Sequence, residues 1–273
     1  MSVKHVSPTI GVFDSGFGGL TVLKALLEVI PGARYIYFGD TARLPYGSKS
    51  AATVARYAVE AAHFLEGHGA ESLVIACNTA TALALDQIEA AAHVPVVGVV
   101  QPGADAAAAV SRNRKVVVVG TEATVSSHAY RKALEARGLT AAEKACPLLV
   151  PLVEEGWVEH PVTEQVVRIY LQEAFRGGLA EADTLVLGCT HYPLLKPLLR
   201  RVAPEHVSIV DSAESTACVV ARQLQGQLST SGERQTSPTI QFFATDSVEK
   251  FRRLGERFLG HAIENVQHVD LKE

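Results

Sequence analysis

Paired cysteines, long apolar runs and an excess of positive charge are all missing from this sequence. The four cysteines, Cys77, Cys146, Cys189 and Cys218, lie far apart and include no CxxC pair. Their spacing argues against a disulfide scaffold and against a zinc ribbon. The 25 Lys and Arg residues are outnumbered by 29 Asp and Glu residues, which gives a net charge of -4 without a basic run. We therefore expect neither nucleic acid nor a membrane surface as a partner.

Long hydrophobic segments are absent as well. No apolar run approaches the roughly 20 residues that a membrane span requires, and the first residues carry no signal-peptide pattern. A cytoplasmic location is expected, because a reducing compartment suits unpaired cysteines. The chain has 273 residues, of which 48% are hydrophobic and 20% are charged. This composition is typical of a globular protein with one large domain or two smaller ones.

Short β-branched runs alternate with helical patterns along the chain. The runs predicted as strands are residues 9–13, 35–38, 72–76, 95–100, 116–119, 147–150, 184–187, 207–210 and 240–244. They are continuously apolar, as in parallel strands that are covered on both faces. Between them, Val54, Ala58, Ala61 and Leu65 recur at helical spacing behind a candidate cap at Ser50. The pattern predicts an α/β fold, with residues 226–238 as a surface loop before a last strand and helix.

Six residues stand just past the ends of most of these strands. They are Asp14, Asp40, Cys77, Gly120, Cys189 and Asp211. Ligands of open parallel sheets bind outside the carboxyl ends of the strands, so we expect the chemistry at these positions.

The chain also resembles itself at two pairs of these strand ends. IGVFDSGFGGLTVL has a counterpart in VVVVGTEATVSS, and VIACNTATAL has one in LVLGCTHYPLL. Gly120 follows Asp14 by 106 residues, and Cys189 follows Cys77 by 112. Any α/β protein repeats strand-turn-helix units, but the matching cysteines favour two related halves that each give one thiol to a shared cleft.

Two facing thiols suit the inversion of a carbon centre. A cysteine before a helix lies near unpaired N–H groups, which predicts a lowered thiol pKa. The neighbouring Asn78, Thr79, Thr190 and His191 can hold a carboxylate. One thiolate would take a proton from one face, and the other thiol would return a proton to the opposite face. The residues therefore indicate racemisation or epimerisation by two bases.

Other uses of these residues remain open from the sequence. Cys189 with His191 could form a nucleophilic pair, although no hydrolase-type elbow is present. Zinc bound by Cys77, Cys189 and His191 would have an unfamiliar spacing, and simple packing is the commonest role of a single strand-end cysteine. DSGFGGLTV lacks the third glycine of a dinucleotide turn and the Gly-Lys of a Walker A loop. We expect no cofactor and no metal.

Asp14 has two readings of its own. It either serves the substrate, by binding an ammonium or acting on a cysteine proton, or it caps the following helix. Cys146 and Cys218 are predicted to be packing residues.

Six segments together carry a family resemblance. They are GVFDSGFGGLTVL, YFGDTARLPYGSKS, VIACNTATA, VGTEATVSS, CPLLVPLVEEG and LGCTHYPLL, which extend from about residue 10 to residue 195. In this order they resemble the glutamate racemases of the aspartate/glutamate racemase superfamily. The resemblance implies cofactor-independent interconversion of L- and D-glutamate, which supplies D-glutamate for peptidoglycan. It also implies a homodimer.

The resemblance implies an architecture as well. Two pseudo-symmetric, doubly wound α/β domains with mostly parallel sheets would enclose the active site in the cleft between them. The first domain would comprise residues 1–100 plus 209–273, and the second would comprise residues 101–208.

Site residues follow from the resemblance by motif. Cys77 would act on D-glutamate and Cys189 on L-glutamate, with Asp14, His191 and Glu154 assisting them. The residues implied to line the substrate are Asp14, Ser15, Pro45, Tyr46, Gly47, Asn78, Thr79, Thr121, Thr124, Thr190 and His191.

Related activities are the nearest alternatives. Aspartate racemases, hydantoin racemases and arylmalonate decarboxylases resemble the same superfamily, but the decarboxylase type lacks one of the two cysteines. An amino-acid-binding protein without catalysis would also suit two lobes around a cleft, yet it has no need of two thiols.

Overall fold

The computed structural model describes residues 7–225 and 238–271. The strands are β1 (Thr9–Asp14), β2 (Arg34–Gly39), β3 (Ser72–Ile75), β4 (Val96–Gly98), β5 (Lys115–Gly120), β6 (Thr140–Ala145), β7 (Thr184–Gly188), β8 (Ser208–Asp211), β9 (Thr239–Ala244) and β10 (Val266–His268). The α-helices are α1 (Leu20–Val29), α2 (Ala51–Gly67), α3 (Asn78–Ala91), α4 (Val100–Val110), α5 (Glu122–Ser127), α6 (Ala129–Glu135), α7 (Leu149–Glu154), α8 (Pro161–Ala174), α9 (Lys196–Val202), α10 (Ser212–Gln223) and α11 (Val248–Leu259). Short 3₁₀ turns occur at Thr41–Arg43, Tyr46–Ser48, Gly177–Leu179 and Tyr192–Leu195.

The strands form two parallel sheets. One has the order β10-β9-β2-β1-β3-β4 and the other has the order β6-β5-β7-β8. The four strands β2-β1-β3-β4 therefore repeat as β6-β5-β7-β8, with β1 equivalent to β5 and β3 equivalent to β7. Neighbouring strands run parallel throughout both sheets. This arrangement confirms the predicted α/β class and the relation between the two halves.

One predicted strand is wrong and two observed strands were not predicted. Residues 147–150 run into the start of α7. The segment is helical because Leu149 and Val153, four residues apart, lie on the same face of a helix and are both buried. A run of four apolar residues cannot distinguish a strand from such a helical turn. β6 and β10 lie at the outer edges of their sheets and are partly exposed, so neither needed an apolar run. The chain after β9 thus contains a helix and a further strand.

Helix α2 follows the prediction closely. The Ser50 hydroxyl accepts a hydrogen bond from the backbone N–H of Thr53, as an N-cap does. Val54, Ala58, Ala61 and Leu65 are fully buried against the first sheet. A larger core continues from the first sheet into the second one and includes residues of α1, β5, β7 and α11. The two sheets are therefore held together by shared apolar packing.

The predicted division into two domains stays a prediction. Its boundary between residues 208 and 209 falls inside β8, which pairs with β7 of the four-stranded sheet. A boundary after Asp211 keeps that strand with its sheet. Apart from Pro238, the predicted loop 226–238 lies outside the described residues. Among the helices of the described residues, none has both the length and the apolar character to cross a membrane.

Candidate active site

A cavity of about 440 Å³ lies at the carboxyl ends of strands from both sheets. The segments after β1, β2, β3, β5, β6 and β7 all contribute to it. The predicted site residues that line it are Ser15, Pro45, Tyr46, Gly47, Cys77, Asn78, Thr79, Thr121, Glu154, Cys189, Thr190 and His191. Asp14 and Thr124 are fully buried behind this lining. The two strand-end cysteines thus share one cavity.

Cys77 directly precedes α3 and acts as its N-cap. Its sulfur accepts a hydrogen bond from the backbone N–H of Ala80 at 3.4 Å. Its thiol donates to the Ser15 hydroxyl, also at 3.4 Å. The thiol is therefore fixed between the first turn of α3 and the turn that follows β1.

The charge state of Cys77 differs from the prediction. Burial, reinforced by the negative charge of Asp14, raises the pKa of the Cys77 thiol to about 12, whereas a lowered pKa was expected. The hydrogen bonds from the helix N-terminus and Ser15 oppose this change but do not overcome it. Burial in a low-dielectric site outweighs the helix dipole here. At neutral pH, Cys77 is thus a protonated thiol in the protein without substrate.

Cys189 sits in a different environment. The chain after it forms the 3₁₀ turn Tyr192–Leu195, and α9 begins only at Lys196, so the predicted helix N-terminus at this cysteine is wrong. The partner of Cys189 is His191, whose Nδ1 lies 4.0 Å from the sulfur. The two thiols are therefore supported by a helix end in one half and by an imidazole in the other.

His191 belongs to a chain of charged groups. Its Nε2 lies 3.3 Å from Glu154 Oε1, and Glu154 Oε2 lies 3.4 Å from Lys250 Nζ. The Nε2 has no aligned hydrogen-bond partner in the described part of the chain, so its contact with Glu154 is an ion pair and not a linear hydrogen bond. Burial alone would lower the pKa of His191, but Cys189, Glu154 and Asp14 together raise it to about 10. The imidazole is thus positively charged at neutral pH.

Asp14 supports the site from within the protein. Its carboxylate accepts a hydrogen bond from the Gly16 backbone N–H at 2.8 Å and a longer one from the Thr190 hydroxyl at 3.5 Å. Burial raises the pKa of Asp14, and the charge of His191 partly opposes that rise. Asp14 therefore braces the turn after β1, while α1 has Gly19 and no side chain at its cap.

The segment after β2 contributes an apolar and hydroxyl-bearing side of the cavity. Tyr46 is buried, and its hydroxyl donates to Asp40 Oδ2 at 2.6 Å. Thr245 donates to the other carboxylate oxygen of Asp40 at 2.9 Å. Asp40, which was singled out as a strand-end residue, thus holds the Pro45–Gly47 segment and does not line the cavity.

Threonines join the two halves beside Cys77. The Thr79 hydroxyl lies 2.9 Å from that of Thr121 and 3.3 Å from that of Thr124. Thr121 also caps α5, since its hydroxyl accepts the Thr124 backbone N–H. The first turn of α3 is therefore bound to the first turn of α5.

The glycines of DSGFGG allow a close approach to the second half. A Cβ at Gly18 would collide with the Thr190 hydroxyl and would lie 2.6 Å from His191 Nδ1. A Cβ at Gly19 would lie 2.5 Å from that of Asp14. The glycines therefore let the segment after β7 pack closely against the turn that precedes α1.

Several cavity residues were not predicted from the sequence. They are Leu44, Ser48, Glu122, Pro147, Val150, Pro151, Glu155 and Lys250. Lys250 comes from α11, far along the chain, and no local motif marks it. Pro147 and Val150 belong to the segment that is predicted as a strand, and Pro151 follows it in α7. A helical prediction for this segment would have indicated which of its residues face the cavity.

The remaining cysteines differ from each other. Cys146 is fully buried in the core, which confirms its packing role, whereas the same prediction for Cys218 is wrong because its side chain is exposed. Within residues 7–225 and 238–271, no three His, Cys, Asp or Glu side chains group as a metal site would require.

Comparisons with known proteins agree with this geometry. The sequence profile of a family described as Asp/Glu/Hydantoin racemase matches residues 10–219. A curated glutamate racemase of Koribacter versatilis is 62% identical over 97% of this chain and 98% of its own. The crystal structure of a glutamate racemase isoform from Bacillus anthracis superimposes with a TM-score of 0.90 at 39% identity, covering 97% of this chain and 98% of that one. A glutamate racemase from Francisella tularensis, solved in complex with D-glutamate, gives a TM-score of 0.88 at 34% identity and covers 98% of both chains.

Proposed function

The chain belongs to the Asp/Glu/hydantoin racemase family, and within it to the glutamate racemases; on this premise we propose a mechanism in which Cys77 and Cys189 are the two bases. One observation carries the proposal. The two cysteines follow the equivalent strands β3 and β7 of two similarly ordered sheets, and both line a single cavity. Two bases that approach one carbon from the two halves suit the inversion of its configuration.

The first step in one direction is the removal of the α-proton of L-glutamate. The Cys189 thiolate takes this proton, and the C–H electron pair stays on the substrate as a carbanion. The imidazolium of His191, 4.0 Å from the sulfur, stabilises the thiolate before the step. Glu154 in turn stabilises the charged imidazole.

The second step is protonation from the opposite face. Cys77, whose pKa is about 12 in the protein without substrate, donates its thiol proton to the carbanion and becomes a thiolate. The product is D-glutamate, and the reverse reaction uses the same groups with their roles exchanged. The protonated Cys77 thiol therefore suits the role of proton donor in the direction that starts from L-glutamate.

Hydrogen-bond donors beside the cysteines would bind and activate the substrate. Asn78, Thr79, Thr121 and Thr190 line the cavity with amide and hydroxyl groups. Donors fixed around the α-carboxylate stabilise the charge that spreads onto it from the carbanion. The barrier that they lower most is that for removal of the weakly acidic α-proton.

A direct experiment is to follow optical activity with each enantiomer of glutamate and of aspartate. We expect both glutamate enantiomers to reach the same racemic end point, and aspartate to react far more slowly. An unchanged signal with glutamate, or faster turnover of aspartate, would contradict the proposal. Binding of glutamate without turnover would instead favour the non-catalytic binding protein.

The mechanism also requires no cofactor. The two thiols carry out both proton transfers, and the imidazole of His191 and the carboxylate of Glu154 stabilise charge, so protein that is dialysed against a chelator should keep its rate. Loss of activity that pyridoxal phosphate or a divalent metal restores would contradict this part of the proposal.

The physiological role is a further part of the proposal. D-glutamate made by this chain would serve peptidoglycan synthesis. We propose a cytoplasmic location, where the four free cysteines of the chain would stay reduced. Growth of a D-glutamate-requiring bacterium should be restored by the wild-type gene and not by a Cys77→Ser gene.

We also propose a homodimer, and a monomer in sedimentation analysis at micromolar concentration would refute it.

A further inference from the structure

The amide of Asn78 is satisfied on one side only. Its Oδ1 accepts a 2.6 Å hydrogen bond from the hydroxyl of Tyr130. Its Nδ2 is buried and has no hydrogen-bond partner among the described residues. Asn78 lines the cavity and is only 2% exposed. A buried amide nitrogen without a partner costs free energy, unless a ligand accepts its hydrogen bonds.

Tyr130 is the donor in this pair, with its O–H directed at Asn78 Oδ1. Burial raises the pKa of its hydroxyl well above neutral, so the phenol keeps its proton. A phenolic O–H that points at Asn78 requires the amide oxygen on that side. The amide nitrogen must then face the other way, and Tyr130 thereby sets the orientation of the whole amide.

The fold holds Tyr130 firmly in this position. The residue is fully buried in α6, which belongs to the half that contains the four-stranded sheet, whereas Asn78 begins α3 in the other half. Two glycines make room for the ring: a Cβ at Gly103 would lie 3.2 Å from the hydroxyl oxygen, and one at Gly188 would lie 3.1 Å from Cε2. The ring therefore fills a defined space beside the first turn of α3.

We propose that Tyr130 is a positioning residue for substrate binding, which turns the Asn78 Nδ2 towards a carboxylate of the substrate from across the two halves. The inference rests on the proposed function, since it takes glutamate as the occupant of the cavity. Tyr130 itself does not line the cavity. Its effect is therefore transmitted through Asn78 and concerns binding more than proton transfer.

The first test is Tyr130→Phe, which removes one oxygen and keeps the ring. Without the donor, the amide is free to turn its oxygen towards the carboxylate, and KM for glutamate should rise about five- to tenfold, the equivalent of one hydrogen bond. We expect kcat to change less than twofold. The inhibition constant of glutarate, which carries two carboxylates and no ammonium, should rise by a similar factor.

A matched control is Tyr35→Phe. Tyr35 is equally buried, and its hydroxyl donates to the backbone oxygens of Leu26 and Ile30, away from the cavity. This variant loses the same kind of buried hydrogen bond, so it should show a similar loss of stability with an unchanged KM. A rise of KM in both variants would mean that general loosening, and not the Asn78 amide, explains the effect.

A double-mutant cycle tests whether Tyr130 affects KM through Asn78. Asn78→Ala should raise KM at least as much as Tyr130→Phe does. If Tyr130 acts through Asn78, then Tyr130→Phe should have almost no further effect in the Asn78→Ala background. Multiplicative effects of the two substitutions would overturn the inference.

Gly103→Ala provides a second variant that retains the hydroxyl group. The added methyl group would press on the Tyr130 hydroxyl, and the better helix propensity of alanine in α4 offsets part of that cost. We expect a smaller rise of KM in the same direction. If the wild-type chain racemises glutamate and neither variant changes KM, this inference is wrong while the proposed function stands. If the wild-type chain does not racemise glutamate, the proposed function fails first.

Discussion

At the scale of single residues, the two cysteines are supported by opposite charges. Cys77 lies near the carboxylate of Asp14, which helps to keep its proton in place. Cys189 lies beside the imidazolium of His191, whose Nδ1 is 4.0 Å from the sulfur. Two chemically identical side chains thus lie in opposite electrostatic environments. Sequence alone predicted both cysteines but not this difference, because it depends on burial and on contacts between distant segments.

Asp14→Asn tests the carboxylate without removing its shape. The amide oxygen can still accept the 2.8 Å hydrogen bond from Gly16, whereas the long hydrogen bond from Thr190 to the other oxygen and the charge beside Cys77 are lost. We expect kcat to fall by at least about tenfold and KM to rise much less, as for a group that acts mainly in the transition state. Asp105→Asn on the exposed side of α4 serves as the control and should leave both constants unchanged. A near-normal kcat with a raised KM would reassign Asp14 to binding of the substrate ammonium.

The charge of His191 predicts an alkaline limit of activity. The pKa of His191 is raised to about 10, so the imidazolium is present below that pH and is lost above it. Because the positive charge beside the Cys189 sulfur is then lost, kcat/KM should fall as the pH rises through about 10. An asparagine at position 191 has no proton that titrates in this range, so His191→Asn should be less active and its kcat/KM should not fall as the pH rises through about 10. Circular dichroism at each pH would separate this effect from unfolding. The same fall of kcat/KM in His191→Asn would contradict the assignment.

At the scale of secondary-structure elements, the site depends on how closely α1 approaches the segment after β7. Gly18→Ala should reduce kcat at least about tenfold, because the new methyl group would displace Thr190 and His191. Gly32→Ala is the matched control, since a Cβ there would meet no described atom within 4 Å. Unaltered kinetics in Gly18→Ala would show that the position of this segment is not critical.

The elements also show which parts of the fold could be read from the sequence. Central strands such as β1, β3, β5 and β7 are buried on both faces and left continuous apolar runs. Edge strands such as β6 need no such run, and its residues TAAEKA gave no signal. Short apolar stretches such as residues 147–150 are ambiguous until their packing is known. Helix α11 brings Lys250 to the cavity through long-range packing, which no local pattern encodes.

At the scale of the whole molecule, the repeated strand order explains why the cysteine match was informative. Both halves place a cysteine after the third strand of the order 2-1-3-4, so the fold itself brings the two thiols to one cavity. Sequence reasoning could find these ends because each motif is local. The contacts that connect the halves, such as Tyr130 with Asn78 and Glu154 with Lys250, join residues more than fifty positions apart. Such contacts could be identified only from the three-dimensional structure.

The central claim is that each half supplies one base and that neither base can replace the other. A serine hydroxyl is nearly the size of a thiol but is a far weaker acid, even beside a thiol whose pKa is raised by burial, so Cys77→Ser and Cys189→Ser should each abolish racemisation while the fold is retained. Each variant still has one thiol on one face of the substrate. Cys146→Ser and Cys218→Ser are the controls, since Cys146 packs in the core and Cys218 lies at the surface.

The most direct measurement is exchange of the glutamate α-proton in heavy water, compared with optical rotation of the same samples. We predict that Cys77→Ser retains slow exchange on L-glutamate only, that Cys189→Ser retains it on D-glutamate only, and that neither inverts the substrate. Full racemisation by either variant, or an equal loss in the two control variants, would contradict the two-cysteine mechanism.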